Sequence, residues 1–174
     1  SKYEGSYFDN QKSGIGTFVF KNGDVYNGEW REDEMNGVGK YDYISSGSSY
    51  EGFFEHGKMH GTGVYTSRDG VYTGTFHHDV KHGRGVYKWV NGEEYEGDYQ
   101  ENVRHGDGVY RYRNGDVYSG AWTADKQTGF GTLTNTGTGS DRGNNKIDSG
   151  GGLSYKGNFV DGKFEGVGEL EIKG

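Results

Sequence analysis

The sequence has no cysteine and no proline, few leucines and isoleucines, and no long apolar run. Without cysteine, disulfides and thiolate metal sites are excluded. Without proline, every interior strand can keep its ladder hydrogen bonds. No apolar stretch approaches the roughly 18 residues of a membrane helix, and no Asn-x-Ser/Thr sequon occurs. No secretory signal is visible either, so the expected setting is the cytoplasm. The chain opens on Ser1 without an initiator Met and reads as a piece of a longer protein. A net charge of −7 argues against nucleic acid, which wants a basic face. Hydrophobic residues reach only 29%, too few for a thick two-layer core and low enough to suggest disorder. The 15 Tyr, 9 Phe and 3 Trp overrule disorder, and with 35 Gly they point to a sheet whose backbones approach closely.

The rings and glycines are periodic. Tyrosines at 3, 26, 50, 72, 95, 118 and 155 each precede a glycine by two residues and an aromatic by four. Those aromatics are Tyr7, Trp30, Phe54, Phe76, Tyr99, Trp122 and Phe159. A Gly-x-Gly pair follows at positions 11 and 13, counting each tyrosine as position 0, from Gly14/Gly16 through Gly166/Gly168. All seven repeats keep all five positions. Side chains alternate along a strand, so positions 0, 2 and 4 share one face, as do 13, 15 and 17. Of the 27 aromatics, 23 fall on positions 0, 4, 15 and 17, so one face carries nearly all the apolar burial. Position 14 on the other face is mixed, with Thr17, Lys40, Val64, Val86 and Val109.

Turn residues punctuate the pattern. Position 7 is always Asn, Asp or Gly, the residues that tolerate positive φ. Asn22-Gly23, Asp69-Gly70, Asn91-Gly92 and Asn114-Gly115 stand between repeats as strong hairpin signals. The expected fold is all-β: a single-layer antiparallel meander of about 14 strands, elongated, with repeats contacting only their neighbours. At ~4.8 Å per strand the expected rod is on the order of 65 Å long. Residues 136–152, rich in Gly, Ser, Thr and Asn, read as an inserted surface loop of a single array spanning 1–174.

Tyr50-Glu-Gly-Phe-Phe-Glu-His-Gly-Lys-Met-His-Gly-Thr-Gly63 resembles the MORN (membrane occupation and recognition nexus) consensus, roughly YxGxWxxGxxHGxG, and the resemblance covers essentially the whole chain. It implies a non-catalytic scaffold or adaptor, a protein partner, association with membrane or cytoskeleton, and homodimers through a terminal repeat. The alternative it carries is a phosphoinositide or membrane-surface binder. Anionic lipid wants clustered Lys and Arg, whereas Lys81, Arg84, Arg104, Arg111 and Arg113 are scattered among acidic neighbours.

Catalytic patterns do not emerge. The Gly-x-Gly pairs lead into no helix and recur in every repeat, so they are not phosphate loops. Glu32-Asp33-Glu34 and Glu93-Glu94 sit at turn tips, where carboxylates stay solvated. No cofactor fingerprint is present, and none is expected. His60, His82 and His105 share position 10, but equivalent atoms about 10 Å apart cannot meet one zinc ion, whose donors lie ~2.0–2.1 Å away. His77 and His78 crowd a turn with no carboxylate assignable to them, so no metal ligands are expected. The aromatic face remains. A single layer cannot cover it completely, and Phe20, Tyr43, Tyr65, Tyr87, Trp89, Tyr110 and Tyr112 form the expected partner-binding row. Ser67 at position 17 should leave a notch between Tyr43 and Trp89.

Overall fold

The computed structural model describes residues 1–135 and 152–173, so the insertion expected at 136–152 lies outside the described residues except for Gly152. Each repeat is a hairpin. The strands of repeats one to three are β1 (Lys2–Phe8), β2 (Gln11–Val19), β3 (Val25–Arg31), β4 (Glu34–Tyr43), β5 (Ser48–Glu55) and β6 (Lys58–Thr66). Repeats four and five give β7 (Gly70–His77), β8 (Val80–Trp89), β9 (Glu94–Gln100) and β10 (Val103–Arg111). Repeats six and seven give β11 (Val117–Thr123), β12 (Lys126–Asn135), β13 (Gly152–Val160) and β14 (Lys163–Lys173). They form one open sheet in the order β1 to β14, and no helix occurs among the described residues. The expected all-β antiparallel meander is what the chain adopts. Its repeats fall into two compact units, Ser1–Gly85 and Val86–Gly174, built on the same plan.

A row of facing glycines crosses the strands of each unit. In the first it runs Gly5, Gly16, Gly28, Gly39, Gly52, Gly63 and Gly74; in the second, Gly97, Gly108, Gly120, Gly131, Gly157 and Gly168. The tyrosine at position 0 lies flat over this row. A methyl group on Gly39 would come closer than 3.0 Å to the Tyr26 ring, and one on Gly63 equally close to Tyr50. The flat ring also satisfies its hydroxyl. Tyr26 donates to the carbonyl of Glu29 at 2.9 Å, Tyr50 to Phe53 at 2.9 Å, and Tyr118 to Ala121 at 3.0 Å. Burial pushes the Tyr50, Tyr72 and Tyr118 hydroxyls up to about 12, against the backbone bonds that pull Tyr50 and Tyr72 down.

Position-4 rings stand edge-on against these tyrosines. Tyr26 meets Trp30 at 5.2 Å and Phe54 of the next repeat at 5.0 Å, with interplanar angles of 85° and 81°. Tyr118 is held the same way between Trp122 and Phe159. Each such pair contributes ~0.5–1.5 kcal/mol beyond its buried area, so stacking between repeats is as strong as packing within one.

The two glycines of Gly-x-Gly do different things. Position 13 has no room for a Cβ. Position 11 is left-handed in all seven repeats, with φ between +57° and +89°, beside a register shift within the hairpin. Turns also differ from the reading of the dipeptides. Positions 6 and 7 both have positive φ in every repeat, as in Glu32-Asp33 (50° and 68°) and His78-Asp79 (48° and 73°). These are type I′ turns formed without Asn-Gly. In Asn22-Gly23, Asn91-Gly92 and Asn114-Gly115 only the glycine is left-handed. There the asparagine side chain accepts from the backbone N–H two residues on, at 3.0–3.1 Å.

Candidate functional site

The type I′ turns of repeats two, three, four, six and seven each dock on the preceding repeat. The N–H of Asp33 donates to the carbonyl of Lys12 at 3.2 Å, and the N–H of Lys12 donates to Asp33 Oδ1 at 2.9 Å. Met59 with Asp79 and Arg104 with Asp125 repeat this two-way clamp. The clamp fixes position 9, whose side chain then lies over the aromatic face. Lys12 Nζ sits 4.5 Å from the Trp30 ring centre, and the Arg104 guanidinium sits 4.4 Å from Trp122 and 5.2 Å from Tyr110.

The expected partner-binding rings form one row in each unit. In the first, Phe18, Phe20, Tyr41, Tyr43 and Tyr65 follow one another at 4.6, 5.3, 4.4 and 6.2 Å. In the second, Tyr87, Trp89, Tyr110 and Tyr112 follow at 4.4, 5.4 and 4.5 Å. Phe20, Tyr43, Tyr65, Tyr87, Trp89 and Tyr112 are half-buried. Tyr110 is not: it is 8% exposed, covered by Arg104 and Trp122, and its hydroxyl donates to Glu93 Oε2 at 2.9 Å. Burial first and Glu93 second push that hydroxyl well above its ordinary value. Ser67 is a turn residue, with its N–H and hydroxyl both donating to the Gly70 carbonyl.

Beside Tyr112 the face opens into a cavity of about 310 Å³. Tyr110, Tyr112 and Trp122 supply ring surface, and Arg104, Gln127, Lys126, Asp125 and Asp161 supply the polar lining. Gln127 Nε2 donates to the Tyr112 hydroxyl at 2.7 Å, and Arg104 Nε donates to Asp125 Oδ1 at 2.8 Å. Arg104, Gln127 and Trp122 were not foreseen as part of a site. For Arg104 and Gln127 the signal was position 9, which varies through Lys, Met, Met, Lys, Arg, Gln and Phe while the glycines at positions 11 and 13 repeat; Trp122 belongs to the position-4 rings. A second groove of about 480 Å³ lies among Val38, Val64, Thr62, Thr73, Thr75 and Arg84 in the first unit.

The histidines are placed differently from the spacing argument. His82 and His105 do not join His60. Instead the turn of repeat four brings His77 and His78 to it, with ring centres 5.3 and 5.1 Å away. Among the described residues these three are the group that could hold a metal ion: one donor nitrogen from each lies within 4.8 Å of the others.

A family model described as the MORN repeat matches residues 3–25, 26–48, 50–71, 72–94, 95–117, 118–137 and 155–172. The chain belongs to the MORN repeat family. The matched spans begin at the seven tyrosines that lie on the glycine row, so the boundaries of this MORN array coincide with its packing unit. The chain is also 34% identical over 70 residues to the MORN repeat-containing protein 3 of Xenopus laevis, a match covering 37% of this chain and 29% of that protein. This MORN array therefore aligns with less than a third of the length of that curated relative.

Proposed function

We propose that this MORN array is a non-catalytic scaffold that binds a partner polypeptide on the aromatic face of its second unit. The observation that carries this reading is the cavity beside Tyr112. It combines ring surface with hydrogen-bonding groups already held by neighbours, the combination used by anchor pockets. Trp89 and Tyr112 are half-exposed on the same row as buried Tyr110, so a docking side chain would meet rings that cannot collapse.

The basic groups of this unit favour polypeptide over anionic lipid. Arg104 pairs with Asp125 at 2.8 Å, Lys126 with Asp161 at 2.9 Å, and Lys88 and Arg111 both with Glu94, at 3.3 and 3.6 Å. Four basic side chains held in ion pairs offer less free charge than headgroups require. The test is selection of peptides from a displayed library on the intact chain, followed by affinity measurement on Trp89→Ala/Tyr112→Ala. Two ring anchors at about 2 kcal/mol each predict a loss of two orders of magnitude or more with the β-sheet spectrum unchanged. Equal affinity in the folded double variant moves the surface elsewhere. Co-sedimentation with phosphoinositide vesicles at physiological salt, and no selected peptide, would replace this reading with the lipid one.

A further inference from the structure

We propose that His60, His77 and His78 form a site for one divalent transition-metal ion of the zinc class, joining repeats three and four. His60 lies on β6, His77 ends β7, and His78 occupies the first left-handed position of the following turn, at φ 48°. The clamp between Asp79 and Met59 seats that turn on β6 and so brings the three rings together. The ring centres of His77 and His78 are 4.4 Å apart, and those of His60 and His77 are 5.3 Å apart.

Two further observations point to a cation. His60 Nδ1 is buried and makes no hydrogen bond, so this nitrogen is shut off from water and depends on a neighbouring group to orient the ring. Glu55 Oε2 stands 3.5 Å from that same nitrogen, a carboxylate that can orient the ring while its other nitrogen faces an ion. Donors around a tetrahedral ion at 2.0–2.1 Å lie about 3.3 Å apart. The three donors here must each close by no more than about 1.5 Å from their 4.8 Å limit. His77 and His78 are exposed and can do so by side-chain rotation alone. An all-imidazole set selects zinc, copper or nickel over magnesium and calcium. The fourth position is left for water. Because the ligands come from adjacent repeats, the bound ion would tie the turn of repeat four to the strand beneath it.

The test uses the full chain free of any histidine tag. Zn2+ is titrated in competition with a chromogenic chelator, and Co2+ is added separately to read the tetrahedral absorption band. The expected result is one ion per chain, a higher Tm with Zn2+, and no effect of Mg2+ or Ca2+. His77→Ala and His78→Ala, both exposed, should each weaken binding at least ~10-fold with an unchanged circular dichroism spectrum. Glu55→Gln, as a positioning residue, should weaken it about 10-fold. His56→Ala and His105→Ala should leave it unchanged, since His56 is held by Glu34 at 2.8 Å and His105 lies in the other unit. Absence of stoichiometric binding at micromolar free Zn2+ would overturn the site. So would equal affinity in the His77→Ala/His78→Ala double variant.

Discussion

Gly85→Ala adds a single methyl group at ordinary φ, yet should be among the most damaging small substitutions in the array. The methyl carbon would come closer than 3.0 Å to the ring and hydroxyl of Tyr72. Tyr72 is fully buried, donates to the Thr75 carbonyl at 3.0 Å, and meets Phe76 edge-on at 5.1 Å. If the ring stays, the strain is that of overpacking, about 1–3 kcal/mol. If it lifts, a hydrogen bond of about 1 kcal/mol and a ring contact of ~0.5–1.5 kcal/mol are lost, along with buried area. Both routes converge on about 3 kcal/mol. Urea unfolding read by circular dichroism, with hydrogen exchange resolving repeats that unfold separately, measures it. The decisive comparison is with Gly92→Ala, where no atom lies within 4 Å but φ is +90°. That change should cost about 1–2 kcal/mol of backbone strain whatever happens at Tyr72. In a Tyr72→Ala background Gly85→Ala should become nearly silent, a coupling of about 2 kcal/mol or more. An equal cost with and without the Tyr72 ring would refute the claim that the glycine exists to seat the tyrosine.

Two further outcomes follow from the same packing. Gly57 is left-handed at φ 76° and lacks the carboxylate by which Asp33, Asp79 and Asp125 accept a position-9 N–H, so Gly57→Asp should raise stability by about 0.5–1 kcal/mol, read as Tm. Alkali should act through the buried tyrosines: Tyr50, Tyr72 and Tyr118 are raised from 10.0 to about 12, so the stability they contribute is fully present below pH 10 and is lost as pH climbs toward 12. Tyrosinate absorbance should then rise cooperatively with loss of the sheet spectrum, and a gradual rise at the ordinary value with the sheet intact would contradict the burial.

The period, the hairpin pairing and the aromatic face were legible because they depend on residue types that repeat in register. What was not legible depends on how one repeat sits on the next. Ordinary residues such as Glu32, His56 and Ala124 are left-handed at position 6 because the clamp dictates the turn, not because their own propensity asks for it. Asp24 and Asp116, each next to an Asn-Gly turn, are buried; Asp24 Oδ1 accepts the Ile44 N–H of the following repeat at 2.9 Å. Tyr110 was expected in an exposed row and is covered because position 9 reaches over it from Arg104. The meeting of His77 and His78 with His60 depends on a turn reaching back onto the preceding strand, which residue spacing does not reveal.

Self-association through the β14 edge is the outcome where two effects oppose each other most directly. At position 15, Leu133 is 6% exposed because β13 packs beside it, whereas Leu170 at the same position in β14 is 55% exposed. Val167 and Ile172 are 93% and 67% exposed on the same strand, which among the described residues has a neighbour on one side only. Such an edge is a template for pairing with a second copy, and two copies of one strand meet antiparallel about a two-fold axis. Covering the half-exposed Leu170 and Ile172 of both copies would contribute about 4 kcal/mol, with further gain from the ladder. Against this stand Glu165, Glu169 and Glu171, which two-fold pairing brings toward their own copies. Association itself costs an estimated 4–15 kcal/mol, so the homodimer is expected to be weak at low salt. Screening should strengthen it, since at 1 M salt the Debye length falls to about 3 Å. Light scattering over a range of concentrations should show mass rising with concentration and more steeply at high salt. Mixing the chain with a Glu169→Lys/Glu171→Lys variant should give heterodimers tighter than either parent, because the repulsion becomes attraction. A monomer mass under all these conditions, the mixture included, would mean that the carboxylates protect the edge and that β14 does not pair.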